Sequence, residues 1–227
     1  MNDIELTILM PCLNEEKTIG FCISEAQEYI KKSGISAEIL IANNGSCDNS
    51  RKIAIDLGAR VETVPFRGYG NAVRGGIDLA RGKYIIMGDC DGSYDFTDLN
   101  AFLEKLREGF TLVMGNRYRG GFEKGAMPFL HRYIGIPFLS FLGRLKYKTD
   151  IGDFHCGLRA FQRETALSLN LKAEGMEFAT EIIGAFADAG EKICEIPVTL
   201  RYGRRGGKSH LRTVRDGLRH IRLILFN

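Results

Sequence analysis

The sequence predicts an α/β protein built on a doubly wound, mostly parallel sheet. Three observations carry that expectation. Short apolar runs recur through the first half of the chain, as in Leu6-Thr7-Ile8-Leu9-Met10 and Glu38-Ile39-Leu40-Ile41-Ala42. They are separated by stretches of about 10–15 residues with helical periodicity, the spacing of βαβ units. The segments that follow the runs are polar or glycine-rich, as expected where ligands bind beyond the carboxyl ends of parallel strands.

The elements follow in order. The first strand ends at Pro11; Asn14 is placed to cap a helix with Glu15 and Glu16 in its first turn, running to about Lys32 and stopped by Gly34. After the second strand, Ser46 or Asp48 caps a helix ending at Gly58. A third strand covers residues 60–64, and Arg67-Gly68-Tyr69-Gly70 opens a helix over 70–81. The fourth strand, 83–88, leads to a helix capped by Thr97 and ending near Arg107; 111–114 is the fifth strand. The second half is less regular. Helices are expected near 128–144, 163–169 and 176–189, strands near 156–161 and 192–200, and a basic helix over 211–225. With no linker, repeat or low-complexity stretch, the 227 residues read as one domain.

Five segments should therefore converge on one rim: PCLNEE (11–16), NNGSCD (43–48), FRGYGN (66–71), GDCDGSYD (88–95) and GNRYR (115–119). In an extended segment residues i and i+2 point the same way, so Asp89 and Asp91 offer two carboxylates to one point. Like charges that close are costly unless a cation lies between them. All-oxygen ligation with few protein ligands suits Mg²⁺ or Mn²⁺ completed by water and a diphosphate. An exposed acidic turn would also account for a lone D-x-D; its place at the end of a buried strand favours the metal.

Bulk properties narrow the class. The net charge is +3, but residues 201–227 hold eight Lys/Arg against one acid, Asp216. Such an end suits phosphate, nucleic acid or an anionic membrane face. The six cysteines form no C-x-x-C pair, which argues for free thiols in a reducing compartment and against zinc. Met1-Asn2-Asp3 leads straight into a strand pattern, so no secretory leader is expected. The most apolar stretch, 126–143, is interrupted by His131 and Arg132, too broken to span a bilayer and long enough to lie in its interface. A buried core helix is the other reading of that stretch.

The motif order P-x-x-N-E-E, N-N-G-S-x-D, R-G-x-G-N-A and G-D-x-D-x-S-Y-D-F resembles the inverting family 2 glycosyltransferases with the GT-A fold. Within them it looks most like the polyprenyl-phosphate (dolichyl-phosphate) hexose synthases. The likeness continues through G-N-R-Y (115–118), D-F-H-C-G-L-R (153–159), G-M-E-F-A-T-E (175–181) and R-R-G-G-K-S-H-L-R (204–212). It implies a Rossmann-like nucleotide-sugar and metal-binding half, 1–119, and an acceptor and membrane-facing half, 120–227. It implies that Pro11, Asn14 and Glu15 lie beside the nucleoside and that Asn44 reads the base, although relatives commonly carry Asp-Asp where this chain has Asn43-Asn44. It implies that Gly68 and Gly70 let the backbone approach the nucleotide, and that Asp89 and Asp91 hold the metal on the diphosphate.

The implied reaction moves a hexose from a UDP- or GDP-sugar to a polyprenyl phosphate, whose oxygen attacks the anomeric carbon in line, at the cytoplasmic face of a membrane. A phosphate acceptor is ionised at neutral pH and needs cations rather than a base. Arg117, Arg119, Arg132, Arg204 and Lys208 are the candidates. Asp153 offers two roles: base for a hydroxyl acceptor, or a partner that orients Arg or sugar hydroxyls. His155 is a weaker base candidate, Glu177 is placed to touch the sugar, and Glu181 reads as a helix-surface charge. The expected partners are the sugar nucleotide, the lipid phosphate and an anionic membrane surface, with no nucleic acid and with room for self-association. The rival readings are transfer to a sugar hydroxyl in cell-surface polysaccharide synthesis, nucleotidyl transfer, and a non-catalytic nucleotide- or membrane-binding module. PCLNEE lacks the glycine-rich phosphate cradle that nucleotidyl transfer needs, and the Asp89/Asp91 pair argues against a non-catalytic module.

Overall fold

The computed structural model describes residues 4–204 and 213–226. Its strands are β1 (Leu6–Cys12), β2 (Ala37–Asn43), β3 (Arg60–Thr63), β4 (Tyr84–Met87), β5 (Leu112–Asn116), β6 (Arg159–Gln162) and β7 (Ile193–Pro197). They form one sheet in the order β3-β2-β1-β4-β6-β5-β7. β1 pairs in parallel with β2 and β4, β2 with β3, and β5 with β7, while β6 runs antiparallel between β4 and β5. Two antiparallel pairings in succession restore the direction of β5 to that of β4. The five expected segments therefore do lie on one rim, together with the chain entering β6 and leaving β7.

The helices are α1 (Ile19–Ser33), α2 (Ser50–Asp56), α3 (Tyr69–Leu79), α4 (Asn100–Arg107), the single turn α5 (Arg117–Gly120), α6 (Ile136–Tyr147), α7 (Arg163–Ser168), α8 (Phe178–Asp188) and α9 (Thr213–Phe226). Side-chain alternation splits the core into two layers. Leu6, Ile8, Met10, Ile39, Ile41 and Ile86 pack with Ile19, Ile23 and Tyr29 of α1 and Phe102 and Leu106 of α4. Leu9, Leu40, Ile85 and Met87 pack with Val73 and Ile77 of α3, Phe178, Ile182 and Phe186 of α8, and Ile224 of α9. Gly75 and Gly76 let α3 settle onto the sheet, since a Cβ at either would strike Val64 or Leu9.

Several local expectations change. Asn14 does not cap α1: its φ is +57°, and the helix begins at Ile19 with Thr18 at the N-cap. The backbone N–H groups of Asn14, Glu15 and Glu16 donate instead to Ser46 Oγ, Ser50 Oγ and Asp48 Oδ2, so this stretch clamps two loops together. Gly34 does end the helix, in the left-handed region with its N–H on the Ile30 carbonyl. Thr97 does not cap α4 either; its amide and hydroxyl both donate to Asp95 Oδ1, and Asp98 Oδ1 accepts from the amide of Asn100. The apolar stretch forms a π-helical turn, His131–Gly135, that runs into α6. Only Ser140, Gly143 and Tyr147 of α6 are buried; Phe129, Leu130, Tyr133, Ile134, Phe138, Phe141 and Leu145 are exposed. Its reading as a buried core helix does not hold.

Leu9, fully buried beneath Gly76, reports on how closely α3 packs. Leu9→Ala should lower unfolding free energy by about 2–5 kcal/mol in urea titration. A loss below about 1 kcal/mol would mean that α3 is not seated on β1.

Candidate active site

The rim is held by cross-links between loops rather than by ligands. Asn14 Oδ1 accepts from the Cys47 amide at 2.8 Å, joining the loops after β1 and β2. Thr18 Oγ1 donates to the Cys90 carbonyl at 2.8 Å and Cys90 Sγ to the Pro11 carbonyl at 3.2 Å, joining β1 to the aspartate turn. Pro11, Asn14 and Glu15 are thus brought beside Asp89 and Asp91, with Glu15 buried below the surface.

Asn44 also lies beneath the rim. Its Nδ2 donates to the Phe66 carbonyl at 2.7 Å and its Oδ1 accepts from the Gly68 amide at 2.8 Å. Expected to read a base, the amide has both functions engaged in fixing the loop before α3. An aspartate there could accept from Gly68 but could not donate to Phe66. Gly68 and Gly70 are corrected likewise: the backbone they approach is the protein's own. A Cβ on Gly68 would overlap the Glu174 carbonyl and one on Gly70 the Ala173 carbonyl, while the Asn71 amide donates to Glu174 O. Glu181, expected as a surface charge, holds that segment in place by accepting from the amides of Lys172 and Ala173 at 2.8–3.0 Å.

Asp89 and Asp91 are half-buried and occupy a turn rather than an extended strand. Asp91 Oδ1 accepts from the Ser93 amide and its carbonyl accepts from the Arg204 amide, both at 3.0 Å. Gly92, at φ +78°, has the Arg204 side chain against it, and the Arg204 guanidinium lies 3.9 Å from the centre of the Phe21 ring. Arg201 straps the same turn by pairing with Glu25 and Asp95. Asp89 meets the chain before β6: a Cβ on Gly157 would overlap its Oδ2. The Tyr69 hydroxyl hydrogen-bonds Asp89. Burial, with the Asp89 charge beside it, holds that phenol protonated well above its usual range. No group of three His, Cys, Asp or Glu poised around a metal exists among the described residues. The donor set is two hard carboxylates on an open rim, with a glycine in place of a side chain against one of them. That fits Mg²⁺ or Mn²⁺ retaining water and ligand oxygens, and not zinc.

Arg117 and Asp153 form a buried bidentate pair, Nε to Oδ2 at 2.7 Å and Nη2 to Oδ1 at 2.8 Å. The Arg117 amide also donates to Oδ2 and the His155 amide to Oδ1. Four donors meet the four lone-pair sites of the carboxylate. Asp153 therefore has no oxygen turned to take a proton from an acceptor, and the role it fits is orienting Arg117. Glu195 holds the loop from outside, accepting from Asn116 Nδ2 and from the amides of Gly152 and Asp153 at 2.7–3.0 Å.

The other cations part company. Arg119 borders a separate groove of about 400 Å³ beside Tyr147, Asp150 and Glu195. Arg132 stacks 4.2 Å from the centre of the Phe122 ring. Lys208 lies outside the described residues, as do Arg205 and Arg212 of the same motif. His155 packs edge-on against His220 of α9, with Nε2 to Nδ1 at 3.4 Å, and Thr180 Oγ1 lies 2.7 Å from the same Nδ1. Burial pushes both imidazoles down, His220 to about 4, which keeps them neutral. Glu177 accepts from the Gly175 amide and lies 3.5 Å from Arg219.

Sequence reasoning missed Tyr69, Gly157, Glu195 and His220. A tyrosine between two rim glycines and a charged residue inside the edge strand ICEIP were the available signals.

Removing one member of a buried ion pair leaves the other uncompensated. Asp153→Ala should cost about 3–5 kcal/mol of stability, and Asp153→Leu combined with Arg117→Met distinctly less. Chemical denaturation of both variants checks this; equal losses would mean that the pair is solvated.

Residues 7–167 match the family model described as "Glycosyl transferase family 2". The chain is 37% identical over 226 residues to the low-salt glycan biosynthesis hexosyltransferase Agl6 of Haloferax volcanii, covering 98% of this chain and 53% of that protein. The chain thus spans about half the length of that relative. It is 30% identical to the dolichyl-phosphate hexose transferase of the same organism, covering 91% and 86%. Among solved structures, it superposes on glucosyl-3-phosphoglycerate synthase from Mycobacterium tuberculosis in complex with Mn²⁺, UDP and glucosyl-3-phosphoglycerate with a TM-score of 0.76, at 21% identity over 97% of this chain and 79% of that one. The sheet, its order and these matches agree, and the chain belongs to the family 2 glycosyltransferases with the GT-A fold.

Proposed function

We propose that the protein transfers a hexose, with inversion, from a UDP- or GDP-sugar to a polyprenyl phosphate at a membrane surface. The observation that carries this reading is the joining of two unlike sites by one short loop. Residues 153–157 touch Asp89 at one end and hold Arg117 at the other. Donor chemistry and anion recognition thereby fall side by side on the rim.

Asp89 and Asp91 are the residues that would hold a divalent cation. Bound there, it would neutralise the charge that develops on a departing nucleotide diphosphate. Pro11, Asn14 and Glu15 would flank the nucleoside. The Asp153 carboxylate holds the Arg117 guanidinium by Nε and Nη2, leaving Nη1 outside the pair to meet an acceptor phosphate oxygen. An ionised phosphate needs no base, in keeping with an Asp153 whose lone pairs are all engaged. A hydroxyl acceptor would need that carboxylate to break its pair with Arg117.

The exposed apolar face supports a lipid acceptor. Phe129, Leu130, Tyr133, Ile134, Phe138, Phe141 and Leu145 stand outward on the π-turn and α6. On α9, Leu218, Leu225 and Phe226 are exposed together with Arg215 and Arg222. Among the described residues no helix is long and apolar enough to cross a membrane. Apolar and basic groups on neighbouring helices suit a surface that rests in the interface of an anionic bilayer.

Two outcomes are expected. Asp91→Ala should lower transfer roughly a thousandfold while thermal unfolding stays near wild type, and EDTA should silence the wild type. Full activity in either case removes the metal from the account. The protein should co-sediment with anionic vesicles at low salt and less as salt rises, and Phe138→Asp with Phe141→Asp should abolish this without unfolding, since both rings are about half exposed. Vesicle binding unaffected by the double substitution would place the membrane contact elsewhere.

A further inference from the structure

We infer that Tyr69 is a positioning residue for Asp89, and that the run from Gly68 to Asn71 together with Gly157 forms a socket that fixes this carboxylate before a metal arrives. The inference rests on the metal reading proposed above and names residues that the reading does not include.

The argument begins at α8. Glu181 binds the amides of Lys172 and Ala173 and so fixes the chain ahead of the helix. The Glu174 carbonyl accepts from Asn71, and the carbonyls of Ala173 and Glu174 lie so near Gly70 and Gly68 that neither position has room for a Cβ. Asn44 holds the Gly68 amide from the other side. Tyr69, the first residue of α3, is thus gripped on both flanks, which leaves its ring little freedom. Its hydroxyl ends on Asp89. On the opposite side of the carboxylate, Gly157 gives Oδ2 its space, and Gly157 is itself held by its amide bond to the Tyr94 hydroxyl at 2.8 Å.

The consequence is preorganisation. A carboxylate with one donor engaged and a wall behind it has fewer rotamers to lose on taking up a cation. Groups that hydrogen-bond a metal ligand from outside typically contribute 10–100-fold in metal affinity. A phenol suits this role because it donates without adding charge, whereas Lys or Arg at the same place would compete with the cation.

The test is Mn²⁺ binding by electron paramagnetic resonance, on wild type, Tyr69→Phe and Gly157→Ala, with UDP or GDP present. Thermal unfolding and nucleotide binding in EDTA are measured alongside. Tyr69→Phe should weaken Mn²⁺ binding about 10–100-fold, with unfolding temperature and metal-free nucleotide affinity unchanged. Gly157→Ala should weaken it as well, through displacement of Asp89. Tyr69→Phe protein that binds Mn²⁺ like wild type overturns the inference and leaves the metal reading intact. Tyr69→Phe that loses Mn²⁺ and nucleotide in EDTA together, or that unfolds early, gives the tyrosine a structural role and also overturns it. Wild type that takes up no Mn²⁺ with either nucleotide overturns the metal reading itself.

Discussion

The buried pair between Arg117 and Asp153 is the constraint around which the second half of the molecule is arranged. It joins the end of a parallel strand, β5, to the loop entering the antiparallel strand β6. Two charges at such depth are tolerable only when every lone pair and donor nearby is satisfied, and here the backbone supplies the remaining donors. Glu195 fixes the same loop from the edge strand β7. With the loop immobile, Gly157 meets Asp89 in a set position, so the cationic and acidic parts of the rim share one frame.

The remainder of the rim follows the same logic. Loops gathered at the carboxyl ends of strands would be mobile if each stood alone. Here the first three are joined by side chains that sequence patterns associate with capping: Asn14, Ser46, Asp48 and Ser50. Their hydrogen bonds run between loops more than within helices. At the opposite edge of the sheet, Glu38 binds Thr7, Arg60 and the Arg81 amide. That cluster is saturated within itself and reads as structural. The contrast is chemical: the functional rim presents carboxylates backed by hydrogen bonds yet half-open, and the other edge presents paired ones.

Most of the first half was legible because its signals are local. Apolar runs, helical periods and stop residues such as Gly34 each act within a few residues. The D-x-D turn was legible for the same reason, as were Arg117 and Asp153, though their pairing was only one of the roles considered. What was not legible depends on partners far along the chain. The insertion of β6 between β4 and β5 is a choice of strand pairing that no window reveals. Gly68 and Gly70 have the room expected of them, but the backbone filling it comes from residues 173–174, about a hundred positions away. Asn44 sits at the expected place and faces inward, because its amide completes the next loop. Asn14 and Thr97 resemble caps by residue type, and tertiary hydrogen bonds draw both away from that task.

The central claim is that this rim joins a metal-bound sugar nucleotide to a lipid phosphate. The most direct measurement incubates the protein with UDP- and GDP-sugars, polyprenyl phosphate and Mg²⁺ or Mn²⁺, and follows labelled hexose into organic solvent. The account predicts an acid-labile, lipid-linked hexose with inverted anomeric configuration, formed from polyprenyl phosphate and not from the phosphate-free polyprenol. Equal transfer to the free alcohol, or transfer only to a water-soluble acceptor, would contradict it.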